Sequence, residues 1–120
     1  MEARIKELLE AAGIRPESAL ERFMGNEGIY QKFAWKFLDD KNYGALLKAV
    51  EEGDAKAAFT AAHTLKGLCG NLSFDRLCGC ASEVVEPLRA GDFETAKGKL
   101  TELAEAYQET VKAVKAWKEG

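Results

Sequence analysis

Residues 54–72 read DAKAAFTAAHTLKGLCGNL, and this stretch decides the fold of the chain. Its apolar residues recur at spacings of three and four, which predicts an α-helix that begins after an N-cap at Asp54 and ends near Leu72. On a helical wheel one face is apolar, and its members lie within about 60° of Leu65. They are Ala58, Ala61, Ala62, Leu68, Cys69 and Leu72. This helix therefore has one face for a protein core.

The rest of the chain has the same helical periodicity, and no stretch alternates apolar and polar residues as a strand does. Capping residues, glycines and prolines divide it into segments. The predicted helices cover residues 1–12, a short segment that starts at Pro16, residues 26–53 with an interruption at 39–42, a segment from Ser73 or Asp75 to about Arg89, and one long helix from Asp92. Short connections at 52–54 and 90–91 require neighbouring helices to lie antiparallel.

These segments predict an all-α fold, an up-and-down antiparallel four-helix bundle with additional short N-terminal helices. A length of 120 residues fits one domain, over residues 1–120. We expect residues 1–25 to form an N-terminal helical cap and residues 26–118 to form the bundle.

Composition and charge exclude several classes of function. The chain is 47% hydrophobic and 31% charged, with a net charge of -3 and no cluster of Lys and Arg, which argues against a nucleic-acid surface. Its longest weakly polar run is far shorter than a membrane span, and the N-terminus lacks the apolar core of a signal peptide. Three closely spaced cysteines fit reduced thiols better than a disulfide framework. We therefore expect a cytoplasmic protein that does not bind membranes.

The only histidine, His63, lies opposite the apolar face. It falls about 160° from Leu65 on the wheel, so the imidazole is predicted to point outward rather than into the core. Several residues share its side of the helix or lie at the edges of that side. They are Lys56, Phe59, Thr60, Lys66, Gly67 and Gly70.

Gly67 and Lys66 give the histidine a distinctive setting. A helical side chain leans toward the N-terminus, so a side chain at position 67 would cover His63, and the glycine leaves that surface open. An interior glycine costs about 1 kcal/mol relative to alanine. Close helix packing is the alternative explanation for Gly67, and simple solvation is the alternative for Lys66. A nucleophilic imidazole beside a cation is an arrangement that handles phosphate.

The segment AHTLKGLCGNLS, residues 62–73, resembles the core motif of the histidine-containing phosphotransfer (HPt) domain family of multistep phosphorelays. ALERFMGNEGIYQKFAWKFLDD and LLKAVEEGD also resemble the family's segment before the histidine helix, so the resemblance covers most of residues 16–92. The sequence departs from the family at two places. Ser73 stands where glycine is common, and Val84-Val85 stands where an apolar residue is often followed by glutamate.

The resemblance implies a carrier that accepts a phosphoryl group on His63 from a receiver-domain aspartate and passes it to another response-regulator receiver. By the family pattern, Lys66 stabilises the phosphoryl oxygens and Gly67 gives the partner access. Lys56, Phe59, Thr60 and Gly70 are candidate partner-binding residues. The partners would be receiver domains and a hybrid sensor histidine kinase. We expect a monomer that binds no cofactor or metal, with Mg²⁺ on the receiver.

Other functions are also compatible with a helical bundle. A binding-only interaction module would keep the fold without phosphorylation. A Cys/His metal site from His63, Cys69, Cys78 and Cys80 is less favoured because the spacing is not that of a zinc finger and Cys78 is expected in the core. An autokinase is not expected, because the chain has no glycine loop for phosphate and differs from the kinase histidine motif.

Overall fold

The structure, a computed structural model, describes residues 1–120, which form helices joined by short connections and contain no strand. The helices are α1 Ala3–Ala11, α2 Pro16–Arg22, α3 Glu27–Phe37, α4 Asn42–Glu51, α5 Ala55–Asn71, α6 Asp75–Arg89, α7 Phe93–Gly98 and α8 Leu100–Glu119. None of them is both long enough and apolar enough to cross a membrane.

The packing order of the helices confirms the predicted all-α bundle. Helix α5 lies between α4 and α6, and α6 in turn packs against α7 and α8. Helices α3 and α1 both pack against α8, which closes the bundle and attaches the N-terminal helices to it. The molecule is accordingly elongated, with principal extents of 43 × 23 × 20 Å.

Side-chain caps fix three of the helix starts. The carboxylate or amide oxygens of Asn26, Asp54 and Asp92 each accept a hydrogen bond from the backbone N–H three residues later, at the first turns of α3, α5 and α7. Each cap satisfies an N–H that has no partner inside its helix. The predicted starts of these helices are therefore confirmed.

The prediction of one long final helix is wrong, because the helix is interrupted at Lys99. The Lys99 N–H bonds the carbonyl of Ala96, three residues back, at 3.0 Å, and the regular pattern resumes at Leu100. Gly98 precedes the break and lowers helix propensity there. The two segments have different neighbours. Both α7 and α8 pack against α6, but only α8 also packs against α1 and α3.

The connection between α5 and α6 depends on a serine in a left-handed conformation. Ser73 is buried and has φ +56°. Its hydroxyl donates a hydrogen bond of 3.2 Å to the hydroxyl of Ser18, and its backbone carbonyl accepts one of 2.9 Å from the Arg15 N–H. Helix α6 begins at Asp75, so the second of the two predicted starts is right. Glycine would adopt this positive φ without the steric cost that serine incurs.

Tyr30 connects α3 to the end of α5. Its ring is fully buried and lies 5.6 Å from the ring of Trp117, and its hydroxyl donates a buried hydrogen bond of 2.8 Å to the carbonyl of Leu72. This carbonyl lies just beyond the end of α5. The hydrogen bond therefore fixes the end of the helix that carries His63.

Replacing Tyr30 by Phe should lower the free energy of unfolding by about 1–2 kcal/mol, because the buried Leu72 carbonyl loses its donor. Urea denaturation monitored by circular dichroism measures this loss. Tyr43→Phe is the matched control, since Tyr43 stacks on Tyr107 but is only partly buried, so water can hydrogen-bond its hydroxyl. Equal losses in the two variants would contradict the assigned role of the Tyr30 hydroxyl.

Candidate functional site

The exposure of His63 confirms the helical wheel. The opposite face of α5 is buried through Ala58, Ala61, Ala62, Leu65 and Cys69, with Leu68 half-buried at its margin. Because α5 is enclosed by α4 and α6 on its apolar side, the imidazole faces solvent. An electrophile bound to another protein can therefore reach its ring nitrogens.

Phe59 lies directly beside the histidine, one turn earlier on α5. The two rings have centroids 5.6 Å apart and planes at 28°, a stacked arrangement. Phe59 is half-buried and packs against the core cluster, so its ring contacts both the bundle and the site. The predicted place of Phe59 on the histidine side of α5 therefore describes only part of its environment, because the ring also packs against the core.

Lys66 lies one turn after His63 and is half-buried. It takes part in none of the ion pairs within the chain. Its backbone carbonyl faces the Sγ of Cys78 on α6 at 3.7 Å. A lysine without an acidic partner is available to an anionic group that arrives at His63.

The two glycines near the histidine differ in their surroundings. A Cβ at Gly67 would meet no atom within 4 Å, so close packing of another helix does not account for this glycine. A Cβ at Gly70 would lie 3.7 Å from the Sγ of Cys78, so Gly70 borders α6. Open space beside His63 is therefore found at Gly67, and Gly70 lies nearer the neighbouring helix.

Lys56 and Thr60 are exposed on the N-terminal half of the same helix. The Thr60 hydroxyl donates to the Lys56 carbonyl at 3.2 Å, and the Thr64 hydroxyl donates to the Thr60 carbonyl at 2.9 Å. Both hydroxyls thus bond the helix backbone rather than the imidazole. Lys56 and Thr60 also line a shallow cavity of about 440 Å³ between α5 and α4.

Sequence reasoning missed Arg89, the last residue of α6. Its guanidinium carbon lies 5.3 Å from the centroid of the Phe59 ring, and its Nε lies 3.4 Å from a carboxylate oxygen of Glu86. Nothing in the sequence around His63 indicates this contact, because it depends on the antiparallel register of α5 and α6. The site therefore has a cation from α6 in addition to Lys66.

A second feature absent from the sequence prediction is a cavity of about 840 Å³ beside the C-terminal half of α5. It is lined by aromatic and aliphatic side chains with charged groups at its rim. The lining residues are Arg22, Phe23, Phe33, Lys36, Phe37, Asp39, Asp40, Leu68, Asn71 and Leu72. On α5 its wall consists of Leu68, Asn71 and Leu72, and because Asn71 lies one turn after Gly67, the cavity adjoins the C-terminal end of the histidine face.

The three cysteines do not join His63 in a metal site. Cys69 is buried, and Cys78 and Cys80 are half-buried; Cys78 packs against the core cluster, as its place on the apolar side of α6 predicts. Burial raises the pKa of each thiol, which keeps all three protonated at neutral pH. No group of three or more His, Cys, Asp or Glu side chains is placed to hold a metal ion.

The arrangement can accept an anionic electrophile. An exposed imidazole supplies a nucleophilic nitrogen, Lys66 supplies positive charge one turn away, and Gly67 leaves room between them for a large partner. A phosphoryl group that is attached to another protein meets all three requirements.

Comparison with known families gives one match. The family model described as Hpt domain matches residues 40–117, well over half of the chain. The matched range contains α4 to α7, most of α8 and all of the residues placed around His63 on α5 and α6. The resemblance noted for residues 16–39 lies outside this range. Comparisons with curated proteins and with solved structures give no significant match.

Gly67→Ala should raise the free energy of unfolding by about 0.5–1 kcal/mol, because alanine favours the helix and its Cβ meets nothing. Urea denaturation measures the change. Gly13→Ala provides a control of opposite sign, since Gly13 has φ +80° and a Cβ there would clash with the Cβ of Arg76. A loss of stability in Gly67→Ala would show that position 67 is more crowded than the structure indicates.

Proposed function

This chain belongs to the Hpt domain family, and we propose that it is a phosphorelay intermediate that carries a phosphoryl group on His63. Domains of this family take part in histidine phosphotransfer and interact with receiver domains and kinases of phosphorelays. The observation that carries the proposal is the exposed imidazole with open space at Gly67 and the unpaired Lys66 beside it.

The proposed reaction exchanges one phosphorus bond for another. A ring nitrogen of His63 attacks the phosphorus of an aspartyl phosphate on a receiver domain, the bond from phosphorus to the aspartate oxygen breaks, and the carboxylate leaves. The reverse exchange with a second receiver passes the group on. Such transfers proceed through a loose, in-line transition state that depends on positioning and positive charge. Lys66 supplies that charge from this chain, and we expect Mg²⁺ to be held by the receiver.

The surface around His63 suits a large, anionic partner. Lys56, Lys66 and Arg89 place positive charge on or beside a face of a chain whose net charge is -3. Charge of opposite sign steers association and sets orientation. The cavity that begins beyond Gly67, with Phe33 45% exposed at its wall, adds apolar surface for the same partner.

The remaining features of the proposal follow the family. A hybrid sensor histidine kinase with its receiver would supply the phosphoryl group, and a response-regulator receiver would accept it. This chain would act in the cytoplasm as a monomer and would have no kinase activity of its own. A binding-only module is the second candidate, and loss of phosphoryl transfer in the test below would favour it.

Wild-type protein incubated with a radiolabelled phospho-receiver and Mg²⁺ should acquire label that is acid-labile and base-stable, as a phosphohistidine is. His63→Gln should acquire none, because glutamine has no nucleophilic ring nitrogen. Gel autoradiography after acid and base treatment measures both. If no receiver of a broad panel labels the wild type, the protein acts by binding alone; if His63→Gln is labelled equally, the nucleophile is another residue.

Gly67→Gln should slow transfer from the phospho-receiver by roughly 10- to 100-fold, because the new side chain occupies the space in which the partner aspartate approaches. Rapid-quench kinetics measure the rate. Gly79→Gln is the matched control, since Gly79 is an exposed glycine inside α6 with no atom within 4 Å of a Cβ, and it should transfer at the wild-type rate. Similar rates in all three proteins would contradict the access role of Gly67.

A further inference from the structure

Phe59 contacts two groups of the site at once. Its ring stacks on the imidazole of His63, with centroids 5.6 Å apart, and it also lies 5.3 Å from the guanidinium carbon of Arg89. The two aromatic residues belong to α5, whereas the arginine ends α6. The contacts therefore connect the nucleophile to a neighbouring helix through one intermediate ring.

Few other contacts orient the imidazole. The nearest hydroxyls on α5, those of Thr60 and Thr64, donate to backbone carbonyls. The imidazole is exposed, so no surrounding side chains enclose it. Stacking on Phe59 is consequently the interaction that limits rotation of the histidine side chain.

Arg89 restrains the phenyl ring in turn. A guanidinium over an aromatic face is attracted by the negative charge of the π-system, and arginine forms such contacts more often than lysine. Glu86, one turn earlier on α6, holds the Nε of Arg89 at 3.4 Å. The guanidinium thus lies beside a carboxylate and faces the ring of Phe59.

We propose that Arg89 is a positioning residue for phosphorylation of His63 and that it acts through Phe59. It holds the phenyl ring in place, and the ring holds the imidazole in the orientation from which its nitrogen attacks phosphorus. The proposal rests on the phosphotransfer function proposed above. It differs from a direct role, in which Arg89 would bind the phosphoryl oxygens, because a direct role does not require Phe59.

A double-mutant cycle with a small phosphoryl donor separates these two roles. Phosphoramidate needs no docking face: the imidazole nitrogen attacks its phosphorus, the phosphorus–nitrogen bond breaks and ammonia leaves. Arg89→Met should lower the rate of His63 phosphorylation by about two- to fivefold, the range expected for loss of an exposed cation–π contact. In a Phe59→Leu background the same substitution should have no effect. Arg89→Lys should retain part of the rate.

The cycle has a matched control and a clear contrary result. Lys97→Met removes the same charge from an exposed position on α7 and should leave the rate unchanged. An equal slowing by Arg89→Met with and without Phe59 would assign Arg89 a direct role and overturn positioning. A rate that Arg89→Met leaves unchanged in the protein that retains Phe59 would overturn it as well.

Nuclear magnetic resonance tests the positioning independently of the chemistry. The chain has one histidine, so its ring-proton signals are identified without ambiguity, and stacking on Phe59 displaces them by the ring-current effect. At a fixed pH, Arg89→Met should move these signals toward their positions in Phe59→Leu, whereas Lys97→Met should not. Unchanged signals in Arg89→Met would overturn the proposal even if the rate fell. This measurement needs no receiver. Its outcome can therefore be distinguished from a failure of phosphoryl transfer from receivers to His63, which would contradict the proposed function itself.

Discussion

Burial of one face of α5 between α4 and α6 is the constraint on which the rest of the structure depends. The face is built mainly from alanines, with Leu65 and Cys69 toward its C-terminal half, and all of these residues are buried. Small side chains let the neighbouring helices approach closely, so rotation of α5 would force polar side chains into a packed interior. The opposite face is consequently fixed toward solvent, and with it the position of His63.

The exposed face of α5 contains residues that do not stabilise a helix. Gly67 lowers helix propensity without making any packing contact, and Lys66 has no acidic partner. Other parts of the chain follow the stabilising rules, as the Asp54 cap and the buried Tyr30 hydrogen bond show. Departures of this kind concentrate at functional sites, where access and charge are needed more than local stability.

Sequence reasoning succeeded where the determining interactions are local. Caps such as Asp54 act within one turn, and the apolar period of α5 defines its faces without knowledge of its neighbours. It failed at Lys99, where the hydrogen-bond pattern of the helix is interrupted although the apolar residues keep their helical spacing. It also missed Arg89, because the contact of Arg89 with Phe59 depends on how far α6 is shifted along α5, and this alignment is known only from the packed structure.

The same distinction separates the chemistry of the site from its surroundings. His63, Lys66 and Gly67 lie at the i, i+3 and i+4 positions of one helix, so the proposed nucleophile, its neighbouring charge and its open surface are specified by a few consecutive residues and do not require a particular packing partner. A motif this compact can be shared by a whole family. The cavity wall at Phe33 comes from another helix and can vary without disturbing it. Under the proposed function, selection among receivers is expected to depend on such neighbours, whereas the transfer step is expected to depend on α5 and on the contact of Arg89 with Phe59.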